Sequence, residues 1–556
     1  MQCIAFIRPM LCVQFSIAVI LLYFDRDTGI KSFNDFPNYG VSMSKPNSPL
    51  NLLVRRNFLK AALMAGVISM IGGSSLAFAL SNDDYPAIRE AAEAGRAASI
   101  KRLQDWIALP SIAAENLNMM EGAQYMAKLA RDAGFDHTEI VPTDGHPGVW
   151  ATMDNGAERT LAIYFMYDVK QYEADEWSSP PLEGRIVDKL GFGKAIMGRG
   201  AVNQKGPEAM LLAALHAMRA AGVKPPVNLV LVAEGEEEIG SPHFLQIVTR
   251  PDIMAKLKQS EGIFIPIGWQ DMKGNVEVNL GAKGIVELEL IASGESWGRG
   301  PKKDIHSSLK AMVDSPAWRL VQALQTLVTV DGNTPVIDGW FENVRPLSAR
   351  EKELIAKAAA NGDEASRKKL LGVEHWIDDL PFKDALERLA SQPTVNIEGL
   401  VAGYTGPGGK TILPGKALAK LDLRLVPNQT RVEAEKKLRA HLDKRGFTDI
   451  EIKVGGGYDP TETAEDSRII KAKLETYRRA GVTATLNPRL AGSWPGAMFT
   501  APPLSIPAGQ FGLGHGSGAH APDEYFVVES SNPNVADVVD AAMGYVDFFY
   551  QVANIR

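Results

Sequence analysis

The sequence predicts an α/β protein with a mostly parallel mixed sheet that helices cover on both faces, interrupted by a smaller α+β two-layer domain. The branched, apolar run Val227–Ala233 predicts a strand that is buried on both faces. Helical and strand patterns alternate from residue 82 to about residue 278, as in parallel strands joined by helices. Beyond this point Ile285–Ile291 alternates apolar and charged residues, which is typical of an antiparallel sheet with one face in water.

The first part of the main domain is predicted to span residues 80–278. Its helices are predicted at Ile88–Leu109, Asn118–Ala133 and Lys205–Ala221. Its strands are predicted at His137–Val141, Thr160–Tyr167, Val227–Ala233 and Gly262–Ile267. Gly134 follows the second helix at the position where a glycine commonly ends a helix.

An insertion is predicted over residues 279–454, after which the main domain resumes over residues 455–556. Helices of the insertion are predicted at Ser315–Val330, Ser348–Leu371 and Thr430–Arg445, with a second alternating strand at Ala417–Leu425. The first pattern returns after Gly455-Gly-Gly457, with helices at Asp466–Ala480 and Asn534–Val552 and a strand near Thr483. The insertion is therefore predicted to split the main domain.

Length and composition limit the functions that this chain can have. A chain of 556 residues, 45% of them hydrophobic, is long enough for at least two domains with large cores. The formal charge of −7 and the lack of a basic tract argue against a nucleic-acid partner. Both cysteines, Cys3 and Cys12, lie at the extreme N-terminus, which excludes a disulfide framework and a cysteine nucleophile from the rest of the chain.

Glutamates crowd the turn that follows the predicted central strand, at Glu234, Glu236, Glu237 and Glu238. Ligands bind at this edge in open α/β sheets. A solvated acidic turn is the ordinary interpretation, but adjacent carboxylates repel one another unless a cation, a proton or a substrate offsets their charge. Glu237 and Glu238 are therefore predicted to be site residues, and Glu234 and Glu236 to be bystanders.

An export leader is predicted near the N-terminus. Arg55 and Arg56 precede the apolar run Ala61–Leu80, which contains the small-residue pattern Ala77-Phe-Ala79. This pattern resembles a twin-arginine signal peptide over residues 43–79 with cleavage after Ala79, and a membrane anchor is the alternative. The protein is therefore expected to meet the membrane only during export and to act in the periplasm or another extracytoplasmic space.

Residues 1–42 precede everything that such a leader requires. Met43 lies at a suitable distance before the arginine pair, so a start codon assigned too early is the hypothesis for this segment. The apolar segment Met10–Phe24 is short for a membrane span.

Several motifs follow one another in a recognisable order across nearly the whole chain after Gln104. They are Tyr164–Gln171 with Trp177, Gly198–Gly206, Glu234–Ser241, Gly300–Ser307, Leu423–Gln429, Ala491–Pro495 and Gly514–Tyr525. In this order they resemble the zinc aminoacylase, carnosinase and glutamate carboxypeptidase superfamily of exopeptidases and deacylases. The resemblance implies a zinc-exopeptidase-like fold and the hydrolysis of an amide or peptide bond.

The resemblance also implies a pair of metal ions and a glutamate that activates water. Carried over position by position, the general base is Glu237, and two of the metal ligands are Glu238 and His520. Asp168 matches an aspartate that supports the first histidine ligand in relatives, although that histidine is absent here.

The other ligand positions are substituted. Met166 stands where the resemblance implies the first histidine, Asn203 where it implies a bridging aspartate, and Ile267 near the position of a later acidic ligand. Zinc binds thiolate, imidazole and carboxylate, so a thioether and an alkyl chain do not serve it. An amide at the bridging position agrees with an absent cation. No dinuclear centre is predicted, and at most one zinc or other divalent ion is expected, on Glu238, His520 and, weakly, Asn203.

Three interpretations of the site remain open at this point. The first is a hydrolase with one weakly held metal, in which Glu237 takes a proton from bound water and returns it to the leaving amine. The second is a metal-independent enzyme that uses Glu237 and Glu238 as acid and base, one of them protonated. The third is a relative that binds a peptide-like ligand without catalysis.

Residues outside the metal shell match positions that bind substrate in relatives. His306 matches a histidine that reaches into the partner's site in dimeric relatives and polarises the scissile carbonyl. Arg424 matches a residue that binds a substrate carboxylate, although Asp422 or Glu387 could instead be its structural partner. Gly492 and Ser493 match a loop that contacts the same carboxylate.

Three more residues are weighed as substitutes for the lost ligands. Lys205 and Arg199 are candidates for the positive charge that a metal would supply, and His515 is a substitute ligand that is less favoured than an ordinary loop histidine. The sequence as a whole predicts an exported hydrolase that forms a homodimer through the insertion. Its substrate is expected to be a small acyl-amino acid or a dipeptide-like molecule.

Overall fold

The computed structural model describes residues 23–25, 29–31 and 85–555, and the chain divides into two compact units, residues 1–74 and 75–556. In the first unit, Tyr23–Asp25 and Gly29–Lys31 form an antiparallel pair of strands. The predicted leader over residues 43–79 and the hypothetical start at Met43 lie outside the described residues. No helix within the described ranges has the length and apolar character that a membrane span requires.

The second unit is built on a six-stranded central sheet. Its strands, in spatial order, are Ala508–Phe511, Ser260–Pro266, Thr160–Met166, Asn228–Glu234, Gly148–Met153 and His137–Val141. The first four run parallel, and the last two join antiparallel at one edge. The prediction of a mostly parallel mixed sheet is therefore confirmed.

Both faces of the central sheet are buried, as the apolar strands predict. Successive side chains of a strand point to opposite faces. Along Thr160–Met166, Leu161, Ile163 and Phe165 belong to one hydrophobic core, whereas the intervening Tyr164 and Met166 belong to another. Met166 is thereby fixed in an apolar layer at the carboxyl end of its strand.

Helices cover both faces of the central sheet. Those that contribute to the larger core are Tyr85–Ile107, Met119–Ala133, Lys205–Ala220, Arg468–Arg479 and Val538–Asn554. Those that contribute to the smaller core are Phe244–Val248, Pro251–Lys258 and Ala497–Thr500. Gly134 ends the second helix with a φ of 105°, in the left-handed region, as its position in the sequence predicts.

A second sheet is fully antiparallel and has its own core. Its strands, in spatial order, are Thr394–Ala402, Lys416–Leu425, Gly284–Ser293 and Glu451–Tyr458. Helices Pro316–Gln325 and Arg431–Lys444 cover one of its faces. The strand Glu451–Tyr458 runs across residue 454, where the sequence places the end of the insertion, and the division of the chain into domains stays a prediction.

The helical stretch predicted at Ser348–Leu371 is interrupted. The structure has one helix at Ala349–Asn361 and another at Glu364–Leu371, with Gly362 and Asp363 between them. The Asp363 side chain accepts a hydrogen bond from the Ser366 N–H, so it caps the second helix. The predicted helix Ser315–Val330 is shorter too and spans Pro316–Gln325.

The remaining elements are short. A four-stranded antiparallel sheet consists of Gly516–Ser517, Tyr525–Ser530, Gly193–Met197 and Arg185–Lys189. Two-stranded pairs join Val276–Asn279 to Ala484–Asn487, Gly281–Ala282 to Thr461–Glu462, and Ile305–His306 to Ile412–Leu413. Two further α-helices are Gly294–Trp297 and Phe382–Ser391.

Candidate active site

Two neighbouring parallel strands end at one edge of the central sheet and bring the acidic turn to it. Met166 pairs with Glu234 at the ends of these strands. The first of these strands, Thr160–Met166, leads to Asp168, and the second, Asn228–Glu234, leads to the turn Glu237–Ile239. Because the strands are parallel, their carboxyl ends meet at the same edge.

Asp168 fixes the turn that carries the two predicted site glutamates. Its carboxylate accepts hydrogen bonds from the backbone N–H of Glu238 at 2.9 Å and of Glu237 at 3.3 Å. Burial, and then the charge of Glu238, raises the pKa of Asp168 to about 8, while the backbone donors act in the opposite direction. Asp168 thus supports the backbone of the glutamates.

Glu238, Asn203 and His520 form a three-residue cluster. The amide nitrogen of Asn203 donates to Glu238 Oε1 at 2.7 Å and lies 3.0 Å from His520 Nε2. His520 Nε2 lies 3.2 Å from Glu238 Oε2. The structure therefore brings together the three residues for which the sequence predicts a weak metal site.

Lys170 completes the surroundings of Glu238 and was not predicted as a site residue. Its Nζ lies 3.5 Å from Glu238 Oε2 and also donates to the backbone carbonyl of Glu238. The Glu238 side chain is 4% exposed and the Lys170 side chain is 30% exposed, so the carboxylate is buried and the ammonium group lies at its outer side. A basic residue soon after the substituted Met166 was the available signal in the sequence.

Glu237 differs from its neighbour because no hydrogen bond to its carboxylate forms within the described part of the chain. Its backbone is held by Asp168 and by the hydroxyl of Tyr458, which donates to the Glu237 carbonyl at 2.9 Å. Burial raises the pKa of Glu237 well above its usual value. The charges of Glu238, Asp168 and Glu234 add to this rise, and Lys170 opposes it.

Glu234 and Glu236 make hydrogen bonds away from the cluster. Glu234 accepts from the hydroxyls of Tyr164 at 2.9 Å and Ser241 at 2.8 Å. Its burial raises the pKa well above the usual value, with Asp168 as the next cause. Glu236 Oε2 lies 2.8 Å from His243 Nδ1.

Glu524 organises the loop that carries Asn203. One of its carboxylate oxygens accepts from the N–H groups of Val202 and Asn203, each at 2.8 Å. The other accepts from the Gly200 N–H at 3.0 Å and from Arg199 Nη1 at 2.7 Å. Burial raises the pKa of Glu524. The sequence places Glu524 inside a motif but gives no indication of this role.

The predicted sources of substitute positive charge do not contact Glu238. Arg199 is paired with Glu524, and the Nζ of Lys205 donates to the carbonyls of Trp106 and Leu109, each at 2.8 Å. Burial lowers the pKa of Lys205 to about 7. Arg199 Nη2 also donates to the His520 carbonyl at 3.3 Å, and neither residue forms an ion pair with Glu238. A role of these two residues as the charge at the lost metal position stays a prediction.

The two most strongly substituted positions are buried and carry apolar side chains. Met166 is 1% exposed in the core that also contains Tyr164 and Trp494. Ile267 is 3% exposed, and its backbone N–H donates to the Phe511 carbonyl at 3.0 Å. Neither residue offers a ligand atom that suits zinc.

Arg424 and Ser493 meet. Arg424 Nη1 lies 3.2 Å from Ser493 Oγ, and Arg424 Nε donates to Asp422 Oδ1 at 3.1 Å. Of the two structural partners that the sequence offered for Arg424, Asp422 is the one it contacts, whereas Glu387 pairs with Lys383. Gly492 and Ser493 lie in the half-buried segment between Leu490 and Trp494.

The two other histidines that the sequence analysis singles out, His306 and His515, lie in different surroundings. His306 is exposed, with Nδ1 2.8 Å from Ser308 Oγ and Nε2 3.2 Å from Thr411 Oγ1. Within this chain it forms no hydrogen bond or ion pair with the three-residue cluster or with Glu237. His515 is stacked on Phe192 at a centroid distance of 3.8 Å, and its Nδ1 lies 2.6 Å from the Gln270 carbonyl oxygen, which makes it a structural residue.

The residues present do not fit a pair of metal ions. Within residues 85–555 and the two short N-terminal strands, no group of three or more His, Cys, Asp or Glu side chains is placed to hold a metal. Glu238 and His520 are two strong ligands, whereas a catalytic zinc has three from the protein. At the third position Asn203 presents its amide nitrogen, a hydrogen-bond donor, to both neighbours.

Comparisons with known proteins agree with the fold. Residues 163–544 match the model of Peptidase family M20/M25/M40. The chain is 26% identical over 361 residues to the Cys-Gly metallodipeptidase dug1 of Schizosaccharomyces pombe, covering 62% of this chain and 72% of that protein. It is 26% identical over 366 residues to the human Beta-Ala-His dipeptidase, covering 62% and 68%.

A solved structure extends the match over more of the chain. The M20 family metallo-carboxypeptidase Sso-CP2 from Sulfolobus solfataricus superposes with a TM-score of 0.72 and 31% identity, covering 82% of this chain and 99% of that one. The chain therefore belongs to peptidase family M20/M25/M40 and is a hydrolase of peptide or amide bonds.

Proposed function

We propose that this hydrolase cleaves the amide or peptide bond of a small acyl-amino acid or a dipeptide with a free carboxylate. One observation carries the proposal. Ile285 pairs directly with Tyr458 on one neighbouring strand and with Arg424 on the other. Directly paired residues share a face of a sheet, so Tyr458 and Arg424 lie in one row, two strand spacings or roughly 10 Å apart.

This row connects the acidic turn to the basic pair. At one end the Tyr458 hydroxyl donates to the backbone carbonyl of Glu237, and at the other Arg424 contacts Ser493. An extended dipeptide spans about 7 Å. A molecule of this length, with its carboxylate on Arg424 and Ser493, brings its peptide bond towards Glu237.

Glu237 is the proposed general base. It takes a proton from a water molecule whose oxygen attacks the carbonyl carbon, and it returns that proton to the amine nitrogen as the carbon–nitrogen bond breaks. The products are a carboxylate and a free amine. The absence of hydrogen bonds to the Glu237 carboxylate within the described residues supports this role, because no protein donor there competes with a water molecule for it. At most one metal ion takes part, and no step above requires one.

His306 is proposed to act across a dimer. Its exposure, and its lack of a hydrogen bond to the cluster of its own chain, support a role in the site of a partner. The edge strand Thr394–Ala402 supports the dimer, since Ile397, Leu400 and Val401 are each at least 50% exposed on it. An apolar edge strand is a surface that other chains can cover.

The names of the relatives are consistent with the proposed substrate class. Two of them are a Cys-Gly metallodipeptidase and a Beta-Ala-His dipeptidase. A dipeptide has the free carboxylate that Arg424 would bind. The predicted twin-arginine leader, with Arg55 and Arg56 before an apolar run, supports our further proposal that the enzyme acts outside the cytoplasm.

The experiment is a hydrolysis assay with matched substrates. Purified protein is incubated with dipeptides and N-acyl amino acids, each beside its C-terminally amidated counterpart, and released amine is measured. Cleavage is expected for the free carboxylates and is expected to be much slower for the amides. Saturable binding without turnover of any substrate, or equal turnover of acids and amides, would overturn the proposal.

A further inference from the structure

Lys170 lies beside Glu238, a buried carboxylate whose negative charge requires compensation. Glu238 is buried beside Asp168 and Glu237, and a buried carboxylate is costly unless a cation or hydrogen bonds compensate it. Apart from His520, whose ring is charged only when protonated, Lys170 is the one described basic side chain that forms an ion pair with Glu238.

Both oxygens of Glu238 already have partners of the kind that replace a metal. Oε1 accepts from the Asn203 amide at 2.7 Å, and Oε2 faces the Lys170 ammonium group at 3.5 Å. A metal ion on Glu238 would compete with the Asn203 amide at Oε1, and at Oε2 it would lie near an ammonium group of the same sign. An aspartate at position 203 would accept hydrogen bonds, whereas the asparagine donates them.

We propose that Lys170 is the resident cation of this site, and that it positions Glu238 and offsets its charge in place of a metal ion. This inference rests on the proposed function only where it concerns catalysis; the pairing of Lys170 with Glu238 does not depend on which reaction the site performs. Lys170 acts through Glu238 and is therefore a positioning residue. The proposal gives one explanation for the substitutions at Met166, Asn203 and Ile267. A site whose negative charge is offset by a lysine does not need the metal ligands that these positions lack.

The test is zinc binding to the purified full-length protein, measured by calorimetric titration with zinc chloride and by the metal content of the protein as isolated. The variants are K170Q, K170R, N203D and the double variant K170Q/N203D. Wild type, K170R and N203D are expected to hold no stoichiometric zinc, because each keeps a cationic side chain at position 170. K170Q/N203D is expected to bind one zinc ion per chain at least roughly tenfold more tightly than wild type, K170R or N203D, since it alone both gains a ligand and loses the competing charge.

Lys194 offers a matched control. It is half-exposed and paired with Glu529 at 3.4 Å, so K194Q removes the same charge from a surface ion pair and is expected to leave zinc binding unchanged. Circular dichroism and thermal melting establish that each variant is folded. If K170Q fails to fold, the metal content and zinc titration of the wild-type protein still test the proposal, because stoichiometric zinc there would overturn it.

Three results would overturn the proposal. They are stoichiometric zinc in the wild-type protein, zinc binding by N203D as tight as that of the double variant, and a folded double variant that binds zinc no more tightly than the wild-type protein. Failure of the proposed function is a separate outcome, because it would appear as absent turnover in a protein whose zinc response is as expected. Wild-type turnover that stops under a chelator and returns with zinc would preserve the hydrolase and refute the role of Lys170.

Discussion

Arg424 Nη1 lies 3.2 Å from Ser493 Oγ, which joins the second sheet to the segment between Leu490 and Trp494. The guanidinium is also held by the buried Asp422 through Nε. These contacts fix its plane and leave the side chain 27% exposed, so it can receive a carboxylate from the solvent side.

Arg424→Met is expected to raise KM for substrates with a free carboxylate roughly ten- to a hundredfold, the usual loss for a hydrogen bond to a charged group. The KM of Arg424→Lys should lie between those of the wild type and Arg424→Met, because lysine keeps the positive charge but lacks the planar guanidinium group. Steady-state kinetics measure both effects. Lys420→Met, on the same strand, removes an exposed charge paired with Glu289 and should leave KM unchanged. An unaltered KM in Arg424→Met would refute carboxylate binding here.

Glu237→Gln is expected to lower kcat roughly 10²- to 10⁴-fold, the contribution of a general base. KM should change little, because the proposed substrate carboxylate binds elsewhere. The variant should keep its fold, since the Glu237 contacts with Asp168 and Tyr458 use backbone atoms. Single-turnover and steady-state assays measure the loss. Glu451→Gln is the matched control, an exposed residue on the strand that ends at Tyr458. A kcat within a few-fold of wild type would exclude Glu237 as the base.

Hydrophobic periodicity was sufficient to predict most of the central sheet. Runs such as Thr160–Met166 and Asn228–Glu234 are apolar on both faces, and this pattern has few other interpretations. The strand Gly148–Met153 was missed, and its antiparallel place between its neighbours depends on tertiary pairing that periodicity does not encode. Gly362 interrupts the predicted long helix for a local reason, because Asp363 starts a new one.

The candidate site was predicted residue by residue but not contact by contact. Motif order identified Glu238, Asn203 and His520, which the structure brings together. It did not identify Lys170, because contact between this side chain and Glu238 depends on how two strand ends are arranged in space. For the same reason motif order does not predict that Lys205, in the first turn of its helix, directs its side chain inward to backbone carbonyls.

The leader hypothesis is tested by changing Arg55 and Arg56 together to lysine. The double variant is expected to remain in the cytoplasm in its unprocessed form, because the hypothesis makes the arginine pair the export signal. Cell fractionation with immunoblotting measures this. The exported wild-type protein should begin near Leu80, after the Ala77-Phe-Ala79 pattern, by N-terminal sequencing. An exported protein that begins elsewhere, or unchanged export of the double variant, would contradict the hypothesis.

Glu524→Gln is expected to destabilise the loop that carries Asn203. Each oxygen of Glu524 accepts from two donors, so an amide nitrogen in either orientation faces a pair of donors that lose their acceptor. The loss should be a few kcal/mol, because the unpaired groups are buried. Thermal melting and urea unfolding measure it. Glu529→Gln, half-exposed on the strand that follows Glu524, is the control and should melt like the wild type. Equal stability of both variants would contradict the proposed role.

Lys473 makes the stability of the fold depend on pH. The residue is fully buried, with the Gln510 carbonyl at 3.3 Å from its Nζ, and burial lowers its pKa from 10.5 to about 7. Between these values the unfolded chain holds a proton that the folded chain has released, so the contribution of Lys473 to stability rises with pH. Below about pH 7 both states are protonated, and the cost of the buried charge is fully present.

Lys473→Met is therefore expected to stabilise the protein by a few kcal/mol at about pH 6, and by progressively less as the pH rises towards 10. Urea unfolding of wild type and variant at several pH values measures the difference, in which the titration of all other groups cancels. Lys471→Met changes an exposed lysine on the same helix and should have little effect at any pH. A stability difference that stays constant across this range would show that Lys473 does not lose its proton in the folded protein.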